Sequence, residues 1–356
     1  MIETADHDVC RPVTDGEIAV VNLDNARRRS WDRLASDPLG AGTAERVIEE
    51  EQMTLQFMGD VGALDRLEAL GSYLGQLDAA SARTALVQAQ VASTAHRFAD
   101  ARRHLERACR AGASQEAIDH LLLAIDQASG ARLDEVLEAR RRDATRSDNL
   151  EDLVPLGALL ADRRDFAEAD QVYRRALQVY QDVSPFDVAW VCFQLGLLWG
   201  ELVPAPQVMR AADWYRRAIA YLPAYVKARV HLAEIHLCNG EADEAEKLLT
   251  ASVANGDPEV RWRLGEAMAA QGRFEEAEAQ LATARSGFEA LLDKHPLAFA
   301  DHGAEFYVAT GELPKALALA RVNAANRPTR RAVERMDAIA ALITCSCVPG
   351  SSGGSG

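Results

Sequence analysis

Titratable side chains crowd one short stretch, His231-Leu232-Ala233-Glu234-Ile235-His236, where two imidazoles flank a carboxylate and invite a metal site. The spacing argues against it. Five residues turn two helical side chains about 140° apart, whereas His-Glu-x-x-His enzymes hold their imidazoles four apart on one face. His96, His104 and His120 have no Cys or acid at ligand spacing, and the six cysteines follow neither a disulfide framework nor a zinc module. Cys345 and Cys347 offer two thiols to a soft metal or a modifying enzyme, but two ligands do not complete a tetrahedral site. The Gly/Ser run after them has the composition of a flexible linker or a cloning scar. No Gly-x-Ser-x-Gly elbow, Gly-Lys-Ser/Thr phosphate loop or dinucleotide fingerprint is present. The expectation is a chain that is not an enzyme and takes no cofactor and no metal.

Charge narrows the partners. The 356 residues carry a formal net charge of -15, and a nucleic-acid partner would need a local Lys/Arg surplus to displace counterions. A protein or peptide with a basic segment is electrostatically favoured. The longest apolar stretch, Val188 to Trp199, is roughly a dozen residues, short of the ~20 that span a bilayer as a helix. Met1 to Arg11 contains Glu3, Asp6 and Asp8 without an apolar core, so the expectation is no secretory signal, no membrane and a cytoplasmic protein. Arg far outnumbers Lys, which stands only at 227, 247, 294 and 315, a codon bias suggestive of a GC-rich bacterium.

The elements that must position these side chains recur. A turn, then an aromatic or Leu, then a small residue opening a second apolar run appears as His96-Arg97-Phe98-Ala99-Asp100-Ala101 and as Arg164-Asp165-Phe166-Ala167-Glu168-Ala169. It returns as Gly240-Glu241-Ala242-Asp243-Glu244-Ala245, Gly272-Arg273-Phe274-Glu275-Glu276-Ala277 and Gly311-Glu312-Leu313-Pro314-Lys315-Ala316. With the small residue as marker, positions 101, 135, 169, 211, 245, 277 and 316 lie 34, 34, 42, 34, 32 and 39 residues apart. Pro204 and Pro206 lengthen one turn, and Gly287 to His295 extends a later second helix. Helical hairpins of this kind bury their apolar faces only by stacking on neighbours.

The pattern resembles the tetratricopeptide repeat family. Leu156-Gly157, Leu195-Gly196 and Leu264-Gly265, with Leu232-Ala233, supply its first pair; Ala108, Ala176, Ala218 and Ala284 fill its second small position; Pro223 and Pro328 close two repeats. The likeness weakens in the hairpin marked by Glu135, where Arg142 stands for the second Ala and Asp126 for the aromatic. It implies an all-α, right-handed α-solenoid of stacked helix-turn-helix hairpins. The expected organisation is an atypical segment 1–42, a repeat array 43–328, a capping helix 329–343 and a Cys/Gly/Ser tail 344–356.

In the resembled family the first helix of each hairpin lines a concave groove. Glu234 and Glu266, two residues past Leu232 and Leu264, and Glu305 in the next hairpin would then form an acidic row, with Asp162 and Glu201 extending it. Lys227, His231 and Arg263 stand beside it and approach a clamp for a peptide's terminal carboxylate, although the expected Asn residues are missing. Equally, these cations simply pair with the acids. Trp190, Trp214 and Trp262 are candidate surface anchors, the remaining aromatics being core. The resemblance thus implies a protein-protein interaction module or assembly scaffold that binds a peptide in a partly acidic groove. The alternatives are a peptide-responsive intracellular regulator and an enzyme accessory subunit.

Overall fold

In a computed structural model of the chain, residues 13–346 are described, and they form eighteen α-helices with no strand among the described residues. No described helix is long and apolar enough to cross a membrane. The side chains of Cys345 and Cys347, read from the sequence as a thiol pair, lie outside what is described. The helices pack as two compact units, each assembled from pieces distant in sequence, a division that follows neither the 42/43 nor the 328/329 boundary.

Unit 1 joins residues 1–70 to 133–279. It contains α1 (Gly16–Ser36), α2 (Thr43–Met58) and the start of α3 (Gly62–Leu77). From the second piece come α7 (Leu133–Ser147), α8 (Leu150–Asp162), α9 (Phe166–Val179), α10 (Pro185–Leu197) and α11 (Val208–Tyr221). It ends with α12 (Val226–Cys238), α13 (Ala242–Thr250), α14 (Pro258–Ala270) and the first turn or so of α15 (Phe274–Lys294). The stretch placed outside the repeats therefore holds a 21-residue helix, begun by Asp15, whose carboxylate accepts from the amides of Glu17 and Ile18.

Within hairpins α8–α9, α10–α11 and α12–α13 the paired helices meet through the small positions read from the sequence. Ala169, Ala211 and Ala245 are fully buried, as are Ala176 and Ala218. Gly157 and Gly196 are required by close approach, because a Cβ there would lie under 3.0 Å from the rings of Tyr173 and Tyr215. In the weak hairpin the buried residue is Val136 and Glu135 is exposed, so the marker there is displaced by one residue. The lengthened turn at Pro204 begins as a π-helical turn, Leu198–Leu202, continuing α10. Trp199 within it donates its indole N–H to Asp170 at 2.7 Å and carries the Arg210 guanidinium 3.5 Å above its ring.

Unit 2 joins 71–132 to 280–356. Its helices are the end of α3, α4 (Ala82–Thr94), α5 (Phe98–Arg110), α6 (Gln115–Ser129), most of α15, α16 (Pro296–Ala309), α17 (Leu313–Asn326) and α18 (Arg330–Ser346). Asn326 donates to the His96 carbonyl at 2.9 Å and Arg327 to the Ala128 carbonyl at 3.0 Å, tying the two pieces together. Asp126, where the repeat pattern calls for an aromatic, is buried between Arg102 and Arg132. Two cations thus compensate the burial of this carboxylate.

Candidate partner-binding site

Six of the expected residues converge in unit 1. On α12, His231 and Glu234 stand one turn apart; on α14, Trp262, Arg263 and Glu266 face them; the π-helical turn delivers Glu201. The His231 Nδ1 lies 2.7 Å from the Glu201 carboxylate and 3.7 Å from that of Glu234. Arg263 pairs with Glu234 and, at 3.1 Å, with Glu266. Burial disfavours the imidazolium, but the bond to Glu201 and the charges of Glu201, Glu234 and Glu259 outweigh it, raising the His231 pKa to about 9. Burial likewise pushes Glu234 upward against the pull of His231 and Arg263. Arg263 also loses hydration, yet Glu234, Glu266 and Glu259 hold its proton more firmly than usual.

Two cations thus face four carboxylates, Glu201, Glu234, Glu259 and Glu266. His236 turns away to Glu241 at 2.5 Å, so the two imidazoles take separate partners, as their spacing requires. With His231 and Arg263 held by acids and Lys227 bonded to Gln56, the cations do not present a convergent clamp for a terminal carboxylate.

The expectation that Trp262 presents an open anchor is corrected. It is 3% exposed, its indole N–H donates to Glu266 at 2.7 Å, and the Arg263 guanidinium covers its ring at 3.6 Å. Trp214 is buried for a similar reason, between Arg174 and Arg217. Trp190 is half-buried, stacked on Phe193 at 6.1 Å and met edge-on by Phe57 of α2 at 6.4 Å. Lys227 and Trp190 therefore belong to a second patch, where α2 lies on α10 and α12. Glu305 is in unit 2, paired with Arg335 of α18.

Several residues of this site escape a reading of the sequence. Glu259 shows only as an acid in the first turn of α14, and Gln56 and Phe57 lie outside the repeat period. Gln56 reaches the Tyr225 hydroxyl at 3.2 Å across 169 residues of chain. No local signal marks a contact of that separation.

No curated protein sequence matches the chain significantly. Among solved structures, the MamA protein is 21% identical, covering 49% of this chain and 92% of that one at a TM-score of 0.38. A tetratricopeptide repeat protein from Parabacteroides merdae is 15% identical, covering 72% and 98% at a TM-score of 0.42. A monomeric IFIT1 mutant bound to m7Gppp-AAAA is 14% identical, covering 89% and 75% at a TM-score of 0.42. The family model described as tetratricopeptide repeat matches residues 226–249 and 258–283, the α12–α13 hairpin and the α14–α15 hairpin that follows it. With two consecutive matches inside an all-α fold, residues 226–249 and 258–283 of the chain carry tetratricopeptide repeats.

Proposed function

We propose that this protein is a non-enzymatic interaction scaffold whose α12–α14 face in unit 1 takes a basic, extended segment of a partner protein. Tetratricopeptide repeats serve a protein-interaction or scaffold role, and the reading goes further on one observation. Glu201, Glu234 and Glu266 gather on His231 and Arg263, and the charge of Glu259 acts on both cations, so four carboxylates surround two cations on this face. Each acid is only part-buried or near the surface of the cluster, where a Lys or Arg from outside adds a charge-assisted bond without leaving an unpaired ion behind. Glu305, on α16 in unit 2, stands outside this proposal.

The test uses a fluorescein-labelled Arg/Lys-rich peptide and an Asp/Glu-rich counterpart, followed by anisotropy across a salt series. The basic peptide is expected to bind and to weaken steadily as salt rises, and the acidic one not to bind. Glu266→Gln keeps an acceptor for the Trp262 indole while removing the charge, and should weaken the basic peptide about fivefold. Equal binding of the two peptides, or no effect of Glu266→Gln, contradicts the reading.

A further inference from the structure

Of the two cations in the α12–α14 cluster, only one can give up its charge. Arg263 lies on the Trp262 ring at 3.6 Å and between Glu234 and Glu266, and a guanidinium in such company stays protonated. His231 is an imidazole, whose charge follows its surroundings. Its ring is fixed in place, stacked on Tyr215 of α11 at 5.5 Å and met edge-on by Phe193 of α10 at 5.3 Å. An imidazole packed in this way answers a change in nearby charge by gaining or losing a proton rather than by swinging out.

Its main partner is more accessible. Glu201 comes from the π-helical turn Leu198–Leu202, and 31% of its side chain is open to solvent, against 21% for His231. The same carboxylate that meets the imidazole at 2.7 Å is therefore within reach of an outside cation. Two more acids act on the ring. Glu234 of the same helix lies 3.7 Å away, its other oxygen taking Arg263, and Glu259 of α14 acts through its charge. Burial alone would strip the proton, and the Glu201 contact does most to keep it on. A guanidinium or ammonium arriving at Glu201 weakens that support and sets a further positive charge beside the buried ring.

Resting on this face taking a basic segment, we infer that His231 is a resident stand-in for the partner's cation: an Arg or Lys of the partner takes Glu201, and His231 releases to solvent the proton that faces it. The exchange balances in charge. One positive charge enters the cluster as another leaves, so no cation is left buried without its carboxylate. Partner affinity is then tied to pH near neutrality, which an ion pair between fixed charges is not. At a pH low enough for the imidazole to keep its proton even with the partner bound, affinity is flat. Above that it rises with pH, and it levels off past about 9, where the free protein has no such proton left to release.

The test uses the full chain and an Arg-rich peptide with both ends blocked, whose own charge is constant over the range, at one salt concentration and at about pH 7 and about pH 8.5. Binding is expected to be about fivefold tighter at the higher pH, and titration calorimetry in buffers of different ionisation enthalpy should show net proton release. In His231→Gln, which keeps a neutral polar side chain there, both the pH dependence and the proton release should vanish. The His231 Cε1–H resonance of the unaltered protein gives a second reading that holds even where the variant folds poorly. Its titration midpoint, about 9 without peptide, should fall by about one pH unit or more when the peptide is bound. Equal affinity at the two pH values, a pH dependence that survives in His231→Gln, or an unmoved midpoint overturns the inference and leaves the acidic-face reading standing. Absence of binding at both pH values removes that reading, and this inference with it.

Discussion

The proton of His231 is held by its neighbours, and that of His96 is repelled by them. For His231 the folded value of about 9 lies above the free imidazole value of 6.5. Between these the fold binds a proton that the unfolded chain lacks, so its contribution is complete below 6.5 and is lost as pH rises toward 9. His96 is the reverse case. Burial, and then the Arg327 cation, lower it to about 4, against the weaker pull of Asp301; His302 adds to the lowering. There the unfolded chain binds the extra proton, and stability is lost as pH falls from 6.5 toward 4. After discounting for partial exposure, each effect should amount to about 1–2 kcal/mol. Urea titrations across pH check both: His231→Gln should flatten the alkaline limb and His96→Gln the acid limb, each leaving the other in place.

At the scale of helices, the repeat's small positions carry the packing. Gly196→Ala would set a methyl group against the Tyr215 ring in the α10–α11 hairpin, and should cost about 1–3 kcal/mol, read as a lowered urea midpoint with an unchanged slope. Much of this level was legible in the sequence because it is periodic. The Ala markers and the Leu-Gly pairs identify the hairpins, and His231, Glu234, Arg263 and Glu266 come from equivalent turns of successive first helices, so their meeting follows from stacking. What escaped is aperiodic. Glu201 was visible only as a possible extension of the acidic row, and the π-helical turn that carries it breaks the 3.6-residue rhythm. Val136 replaces Glu135 as the marker in a hairpin whose turn holds both Gly130 and Arg132 at positive φ, 73° and 48°. Trp262 is closed by its own neighbours, Arg263 and Glu266, which helical spacing alone does not reveal. Phe57 and Gln56 touch residues well over a hundred positions away, and only the folded chain brings them there.

At the scale of the whole chain, the two compact units carry the two histidines separately, His231 in unit 1 and His96 in unit 2. Hydrogen exchange, corrected for intrinsic rates, should therefore lose protection at acid pH first in α4–α6 and α16–α18, and at alkaline pH first in α10–α14. Loss in both sets of helices at both extremes would show that the histidines do not govern these limbs. The surplus of acid is also a property of the chain as a whole, with a net charge of -15, so attraction of a basic peptide alone does not locate a site. Location is the decisive point. The exchange footprint of an Arg/Lys-rich peptide on the full chain supplies it: the added protection should fall on residues 228–237 of α12 and 259–268 of α14 and vanish with Glu266→Gln. Protection spread evenly over exposed acidic helices, or centred on α13 or α18, would contradict a binding face built on Glu201, Glu234, Glu259 and Glu266.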